Sequence, residues 1–402
     1  MEDDSNYSQP SLPDGILLDI LSRLPIKSIH RCKSVCTQFN HWISTPHFTK
    51  LHHSHSSTLH LHLQRRRVAV LVSLDPPSSV AIRSVDTETL SDHSLIPLSN
   101  DFKYSYPNTR IWNSCNGLVL ISISGKTFFV WNPSTGEKEL VRCSLNFPYY
   151  RYFLLGLGFD RLSNEYKVIG GCQKVSSGNK CLMLVLDGTR TSNEPRIRKI
   201  DDFPFRICKD TPGFEVGGDL YWMVNRPSGV PVIVYFDFGA EVFVEMTKQP
   251  IWEPGVLKYG LGVLSGSLCV ACHGEKNVEV LGFKKCDGVE SWVRLFVVSY
   301  DAGSMQFKTL MPLCFTKDGE VVMEIDRKSL VVYNLKEKTY RLLCHLPQEN
   351  KEEGREILRS RQGIRVSGFN VVVYDESLVS PNSASKSIVN LGSTVEQQLS
   401  LG

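Results

Sequence analysis

The chain has 402 residues, 42% of them hydrophobic, and its 45 Lys and Arg against 42 Asp and Glu leave a formal net charge of +3. This length predicts two or three domains, or one domain and a large repeat array, and the apolar content is too high for a wholly disordered chain. The balanced charge argues against a nucleic-acid-binding protein, because such proteins concentrate basic residues on one face.

The first ten residues are acidic and polar, and we expect residues 1–10 to be disordered. They lack the basic start and apolar core of a secretory signal. The apolar run at 68–72 is too short to span a membrane, so we expect no membrane partner. Twelve cysteines at irregular spacing then indicate reduced thiols. These features predict a protein of the cytoplasm, the nucleus or both.

Residues 11–51 have the periodicity of helices, with Pro13 and Asp14 suited to a first turn. Pro25 and Pro46 divide this stretch into two helices and the start of a short third one. Two apolar stripes follow the helical period, namely Ile16, Leu17, Ile20, Leu21 and Leu24, and then Ile29, Cys32, Val35, Cys36, Phe39, Trp42 and Ile43. Two such helices cannot enclose a core, so we expect much of the stripe to seek another surface.

The same stretch, LPDGILLDILSRLPIKSIHRCKSVCTQFNHWISTPHF, resembles the F-box, and in particular its plant form. The resemblance rests on two Leu-Pro pairs, the Lys-Ser after the second pair and the Val-Cys, whereas Phe39 stands where the family usually has Trp. It implies binding of a Skp-type adaptor. The residues that it assigns to this contact are Leu12, Pro13, Ile16, Ile20, Leu21, Leu24, Pro25, Ile29, Val35, Cys36 and Trp42. From the residues alone, a helical hairpin that covers the second domain is the alternative.

Residues 52–66 are rich in His and Arg, and we interpret them as a solvated linker. Histidines at this density can bind a metal ion, but no Cys, Asp or Glu lies among residues 52–64 to complete such a site. We therefore predict no metal site and no cofactor. The three arginines at 65–67 are interpreted as the polar start of a strand rather than a nuclear-import signal.

From residue 68 onward, short period-2 runs separated by turn residues predict an all-β domain. The runs are 117–121, 128–131, 182–186, 219–224, 232–236, 267–272, 278–283, 321–325 and 330–333. Polar turn residues recur at separations of 46, 55, 50, 47 and 50, at Asp86, Asn132, Asp187, Asp237, Lys284 and Asn334. This period predicts a β-propeller of about six four-stranded blades, with a strand at 369–374 closing the ring. A β-sandwich with accidental spacing is the alternative, and residues 382–402 are expected to form a flexible tail.

Residues 67–381 resemble the F-box-associated domain of plant F-box proteins, through SCNGLVLI, VWNPSTGEKELV, GLGFDRLSNEYKVIGG, GGDLYWM, YFDFGAEVFVEM and YDESLVSP. The two resemblances together imply the substrate-recognition subunit of a Skp–cullin–F-box ubiquitin ligase. Such a subunit is not an enzyme. It would bind cullin and RING subunits through the adaptor, and it would hold a target protein for ubiquitination and proteasomal degradation.

The alternative function is a propeller enzyme or a glycan-binding module with an unrelated helical leader. It requires inward His, Asp or Glu residues at one level of the central channel, whereas the first strands offer mostly Gly, Leu and Phe. Cys269-Val-Ala-Cys272-His273 has the letters of a haem attachment site, but its two cysteines would point to opposite faces of a strand. The sequence contains no Walker A loop and no nucleophile elbow.

Four predicted inter-blade loops combine aromatic residues, proline and charge, at 101–107, 146–152, 201–206 and 249–254. We expect these loops to share one face of the ring with 224–231 and 272–277. Rigid aromatic residues beside arginine are typical of binding hot spots. The candidate target-binding residues are therefore Tyr149, Tyr150, Arg151, Arg226 and Trp252. The alternative is that these aromatic side chains pack beneath the loops.

Overall fold

The fold is taken from a computed structural model, which describes residues 12–58, 66–75, 80–87, 89, 92–97, 109–123, 127–141, 150–174, 181–187, 197–200, 203–207, 209–252, 255–286, 288–300, 307–345 and 365–381. The expected disordered start at 1–10 and the expected tail at 382–402 lie outside these residues.

Four helices form the N-terminal module: α1 (Asp14–Ser22), α2 (Ile26–Lys33), α3 (Thr37–Ile43) and α4 (Pro46–Thr58). Pro13 and Pro25 precede the first two helices, at φ angles of −55° and −60°. Cys36 is extended and caps α3, because its Sγ accepts a hydrogen bond from the Phe39 N–H at 3.4 Å. The predicted second helix is therefore two helices, and the prediction that Cys32 and Cys36 share one helix face is wrong.

Helix α4 also corrects the predicted linker, because residues 52–58 belong to the helix. His52 is buried, stacks on Phe48 and places its Nε2 3.1 Å from the Leu24 carbonyl oxygen. His55 lies with its Nδ1 2.8 Å from the Ser22 hydroxyl. The start of the predicted linker is thus part of the helical packing, while residues 59–65 lie outside the described chain.

The helices enclose a small core of their own, formed by the buried side chains of Leu21, Ile29, Ile43 and Phe48. The sequence predicts two helices and the start of a third, whereas four helices are present and together enclose this core. Leu378, which follows the last strand of the protein, packs against this core from outside. The helical module therefore rests on the second domain at this point.

The remainder of the described chain forms six four-stranded sheets, and one of them gains a short fifth strand. The first sheet contains β1 (Arg66–Asp75), β2 (Val80–Asp86) and β3 (Asp92–Pro97), and the second contains β4 (Arg110–Cys115), β5 (Leu118–Ile123), β6 (Thr127–Trp131) and β7 (Lys138–Val141). The third contains β8 (Tyr150–Asp160), β9 (Glu165–Lys174), β10 (Cys181–Asp187), β11 (Ile197–Ile200) and the added β12 (Thr211–Pro212). The fourth contains β13 (Phe214–Val216), β14 (Asp219–Asn225), β15 (Pro231–Asp237) and β16 (Val242–Glu245). The fifth contains β17 (Lys258–Leu264), β18 (Ser267–His273), β19 (Asn277–Cys286) and β20 (Val289–Ser299), and the sixth contains β21 (Leu310–Phe315), β22 (Val321–Ile325), β23 (Ser329–Asn334) and β24 (Thr339–His345).

The last strand, β25 (Arg365–Asp375), pairs with β1 and completes the first sheet. The sheets are thus the six blades of a closed propeller, as the turn period predicts. Six buried clusters each lie between two neighbouring blades. Strands buried on both faces read as apolar runs, and β18 is an example, since every residue after Ser267 is buried.

The polar turn residues on which the propeller prediction rests recur for a physical reason. Asn132, Asp237 and Asn334 each follow or end the third strand of a blade, and a side-chain oxygen accepts a backbone N–H two residues on, at 2.7, 2.8 and 2.9 Å. Lys284 departs from the pattern, because it lies within β19 and the turn follows Cys286. The repeat therefore reports hydrogen-bonded turns between the third and fourth strands.

The antiparallel order of the strands divides the connections between two faces of the ring. One face, here called the loop face, carries the connections from second to third strands and from each blade to the next. The opposite face, the helix face, carries the other turns. β25 ends on the helix face, and Leu378 lies in the helical core a few residues later, so the helices sit on the helix face.

Residues 376–381, here called the C-terminal strap, hold the helices to the propeller. The Asn132 side-chain amide donates to the carbonyl oxygens of Ser377 and Val379 at 2.9 and 2.6 Å. Glu376 accepts a hydrogen bond from the buried Arg67 at 3.1 Å. Gly117 has a φ of 79°, and a Cβ there would overlap the Ser377 hydroxyl. The strap thus follows a path that only a glycine at this turn permits.

Candidate interaction surfaces

The helical module leaves an apolar surface open, here called the helical stripe: Leu12, Ile16, Ile20 and Val35. These side chains are 54, 49, 46 and 68% exposed. Ile16 and Ile20 are four residues apart along α1, so they share one face, and Leu12 lies just before the start of that helix. The Gln38 side-chain amide donates to the Asp14 carboxylate at 3.3 Å, which holds the turn containing Val35 beside the start of α1.

Other residues assigned to adaptor binding have different positions. Leu21 and Ile29 are buried in the helical core, so the structure corrects their role from docking to packing. Leu24, Pro25 and Trp42 are half-buried, while Pro13 is exposed at the start of α1. Cys36 is exposed, but its thiol caps α3. The periodic apolar stripe in the sequence therefore contains both residues that pack inside the helical core and residues that remain exposed.

The predicted target-binding residues are only partly described. Tyr149 lies outside the described residues, and Tyr150 and Arg151 belong to strand β8 rather than to a loop. The Arg226 guanidinium forms an ion pair with the Glu245 carboxylate. Trp252 is half-buried and its ring meets that of Tyr259 edge-on at 4.7 Å.

Packing accounts for the other described aromatic residues of the inter-blade loops. Phe203 and Phe205 are buried between the third and fourth blades, 5.4 Å apart. Two apolar residues of the next inter-blade loop are open instead, because Ile251 and Leu257 are 80 and 74% exposed. This exposed pair could not be recognised from the sequence, since isolated apolar residues in a loop have no period to mark them.

The central channel has a volume of about 390 Å³ and is lined mainly by first strands. From the sequence, the first strands are expected to present mostly Gly, Leu and Phe to the channel. The structure adds polar side chains that come from second strands and their ends, namely His273 of β18 and Glu324 of β22, with Lys258, Asp326 and Arg327 nearby. These groups face the loop-face mouth, because second strands end on that face.

Burial sets the protonation of two groups in the channel. It raises the pKa of Glu324 to about 7, although Arg327 and Lys258 oppose the shift. It lowers the pKa of His273 to about 4, helped by the positive charge of Lys258. The His273 Nδ1 lies 3.4 Å from the Tyr300 hydroxyl. At neutral pH the imidazole is therefore neutral and the carboxyl is partly protonated.

Two further expectations concern metals and membranes. Cys269 and Cys272 pack into different clusters on opposite faces of β18, and burial raises the pKa of the Cys269 thiol to about 12. Across the described ranges, no three His, Cys, Asp or Glu side chains are grouped so that they could hold a metal ion. The described helices also include none with the length and apolarity needed to cross a membrane.

Comparison with known proteins connects both parts of the chain to one family. Residues 10–51 match the model of the F-box domain, and residues 75–381 match that of the F-box associated beta propeller domain. F-box protein CPR1 of Arabidopsis thaliana is 28% identical over 82% of this chain and 83% of its own length. The F-box/kelch-repeat protein At3g23880 of the same plant is 25% identical over 94% of this chain and 97% of its own.

Among solved structures, TolB from Acinetobacter baumannii aligns with 82% of this chain and 73% of its own at 13% identity, with a TM-score of 0.44. This score is too low to support a functional argument. The family matches and the relatives in Arabidopsis agree with the resemblances found in the sequence.

Proposed function

The chain belongs to the F-box proteins that carry an F-box associated β-propeller, and from this premise we propose that it is a substrate receptor of a Skp–cullin–F-box ubiquitin ligase. In this role the helical module binds a Skp-type adaptor, and cullin and RING subunits join through that adaptor. The propeller holds a target protein for ubiquitination and degradation. The chain itself acts as a non-catalytic adaptor that raises the target's effective concentration near the ubiquitin donor.

The helical stripe is the single observation that best supports adaptor binding. Four aliphatic side chains remain about half exposed or more on a module whose core cluster contains four buried residues. Covering an aliphatic side chain gains about 1 kcal/mol or more. A partner that covers the stripe therefore gains several kcal/mol before any polar contact is counted.

The two faces of the ring allow the adaptor and the target to bind at separate places. The helices sit on the helix face, so an adaptor bound to them leaves the loop face open. A target on the loop face would then be held at the opposite end of the propeller. The C-terminal strap fixes the helices to the propeller through Asn132 and Leu378, which keeps the distance between the two partners defined.

Co-expression with a Skp-type adaptor tests the proposal. The full chain should co-purify with the adaptor, and replacing Leu12 and Pro13 together by Ala should reduce the captured adaptor by at least about tenfold, because the entry of α1 and one stripe residue are lost. The matched control is His47→Ala, an exposed position of α4 outside the stripe. Capture of the adaptor at the wild-type level by the double variant would contradict the assignment.

A further inference from the structure

The loop-face mouth of the central channel is ringed by basic side chains from several blades. Arg110 comes from the second blade, Lys209 precedes the fourth, and Lys258 and Arg327 come from the fifth and sixth. Neither Lys258 nor Arg327 forms an ion pair with a described carboxylate. Two cations from neighbouring blades therefore face the same opening, and neither is held in an ion pair by a described carboxylate.

The acidic residues at the mouth are held by other groups of the protein. Asp210 pairs with Arg110 at 2.7 Å. The Asp326 carboxylate accepts the backbone N–H groups of Lys308 and Thr309 at 2.8 and 2.7 Å. These two carboxylates hold the connections in place. They leave Lys258 and Arg327 free to bind an anion from outside.

Glu324 lies close enough to both cations for their charges to act on its pKa, and it has no hydrogen-bond partner among the described residues. Its strand neighbours on either side, Met311 and Leu330, are apolar. The charged and titratable groups that face it are Arg327 and Asp326 from its own blade, and Lys258 and His273 from the fifth blade. In its protonated form Glu324 offers an O–H donor that no described group of the protein accepts.

An apolar ledge adjoins the mouth. Leu257 immediately precedes Lys258, and its backbone N–H donates to the His273 carbonyl oxygen at 2.8 Å, which fixes it at the rim. Ile251 belongs to the same inter-blade loop, and both side chains are exposed. The loop thus places the exposed aliphatic side chain of Leu257 directly before Lys258 in the chain.

Resting on the receptor role proposed above, we propose that this mouth binds an acidic and apolar segment of the target protein. A carboxylate of the segment pairs with Lys258 and Arg327, and a neighbouring apolar side chain packs on Leu257 and Ile251. Lysine and arginine form charge-assisted hydrogen bonds with carboxylates, and removal from water strengthens them. The segment supplies the acceptor that protonated Glu324 lacks.

Binding should also depend on pH. Ionised Glu324 repels a carboxylate, whereas the protonated group donates a hydrogen bond to it, so affinity should rise as pH falls from 8 to 6. Glu324→Gln keeps a donor at every pH and should remove most of this dependence. His273 stays neutral over this range, because burial lowers its pKa to about 4.

Fluorescence anisotropy on the complex of the full chain with a Skp-type adaptor tests the inference. The probe is a short labelled peptide that alternates Leu and Glu, and the matched probe carries Gln in place of Glu. Lys258→Glu combined with Arg327→Glu should weaken binding of the acidic peptide by at least about tenfold. Lys276→Glu combined with Lys328→Glu makes the same change of charge on the loop face outside the channel, and should stay within about twofold.

Several results would overturn the inference. Equal binding of the Gln peptide, or equal weakening by the control pair, would show apolar or unspecific attraction. Competition by free glutarate as strong as that of the peptide would assign the mouth to small carboxylates. Arg327→Gln alone, which removes one charge from an exposed turn, serves if the charge-reversed pair does not fold, and it should still weaken binding by about threefold or more.

Adaptor capture, measured in the same preparations, tests the receptor role separately from peptide binding. A complex that captures the adaptor but not the acidic peptide contradicts this inference and leaves the proposed function standing. A chain that binds the peptide but fails to capture the adaptor contradicts the proposed function alone.

Discussion

The helical module and the propeller use their apolar residues in different ways. The helices bury four core residues and keep several aliphatic side chains of similar size on the outside. The propeller places a buried cluster between every pair of neighbouring blades, so its strands are covered on both faces. A small helical module cannot hide a wide apolar stripe, whereas a closed ring of sheets can. The open surface of the helices is therefore where a partner gains most.

The largest expected effect comes from the packing between blades. Trp222 is fully buried between the third and fourth blades, and a Cβ at Gly156 or Gly213 would lie 2.9 Å from its ring, so only glycine fits at these positions. Trp222→Ala should lower the free energy of unfolding by about 4 kcal/mol, because a cavity replaces the indole. Urea unfolding followed by far-ultraviolet circular dichroism measures the loss.

Trp252→Ala is the matched control for that change. This tryptophan is half-buried in an inter-blade loop, so its loss should cost about 1–2 kcal/mol. A cost as large as that of Trp222→Ala would show that the loop face is packed as tightly as the space between blades. If Trp252→Ala does not change the free energy of unfolding, the Trp252 side chain is not needed for packing and is a recognition residue.

The second effect concerns the strap that joins the two regions. Leu378→Ala removes an aliphatic contact from the helical core and should loosen the four helices by about 2 kcal/mol, with the propeller strands unaffected. Amide hydrogen exchange resolves the two regions, and faster exchange should be confined to residues 12–58. Leu162→Ala, an exposed leucine of a propeller turn, is the control. Uniformly faster exchange in the propeller would show that the strap supports the ring instead.

The smallest effect is the pH dependence of the channel. The pKa of Glu324 rises from 4.5 to about 7, so folded protein holds the proton more tightly and stability falls as pH rises between these values. The pKa of His273 falls from 6.5 to about 4, so stability also falls as pH drops through that range.

Glu324→Gln should therefore raise the unfolding midpoint at pH 8, by about 1–2 kcal/mol in free energy, and change it little at pH 5. Thermal unfolding at the two pH values measures the difference, with the exposed Glu275→Gln as the control. An equal gain at both pH values would mean that Glu324 is not held in a raised-pKa environment.

The sequence predicts the ring well because its turns have a local chemical cause. Asn132, Asp237 and Asn334 hydrogen-bond to the backbone of their own turns, so the residue type marks the end of the third strand in these three blades. The closing strand could also be expected, since a propeller needs to join its ends. The division of the second helix could not, because the apolar period continues from Cys32 to Phe39 across an extended residue that is neither Pro nor Gly.

The sequence predicts only part of the interaction surfaces, because it does not show how the elements pack against one another. Helical periodicity shows that Ile20 and Leu21 belong to one stripe, but only the packing of four helices decides that Leu21 points inward and Ile20 outward. Glu324 lies in a strand of apolar residues, and Leu257 lies in a loop. Nothing in the sequence around either residue indicates that it lies at the channel mouth. Aromatic residues such as Phe203 were misleading, because packing and recognition use the same side chains.

Hydrogen exchange of the full chain with and without a Skp-type adaptor tests the central claim that the helices and the loop face serve different partners. The account predicts slower exchange in α1 and in the turn at 34–38 when the adaptor is added. It predicts no change in the loop-face connections at 226–230 and 246–252. Protection of those connections, with none in α1, would contradict the account.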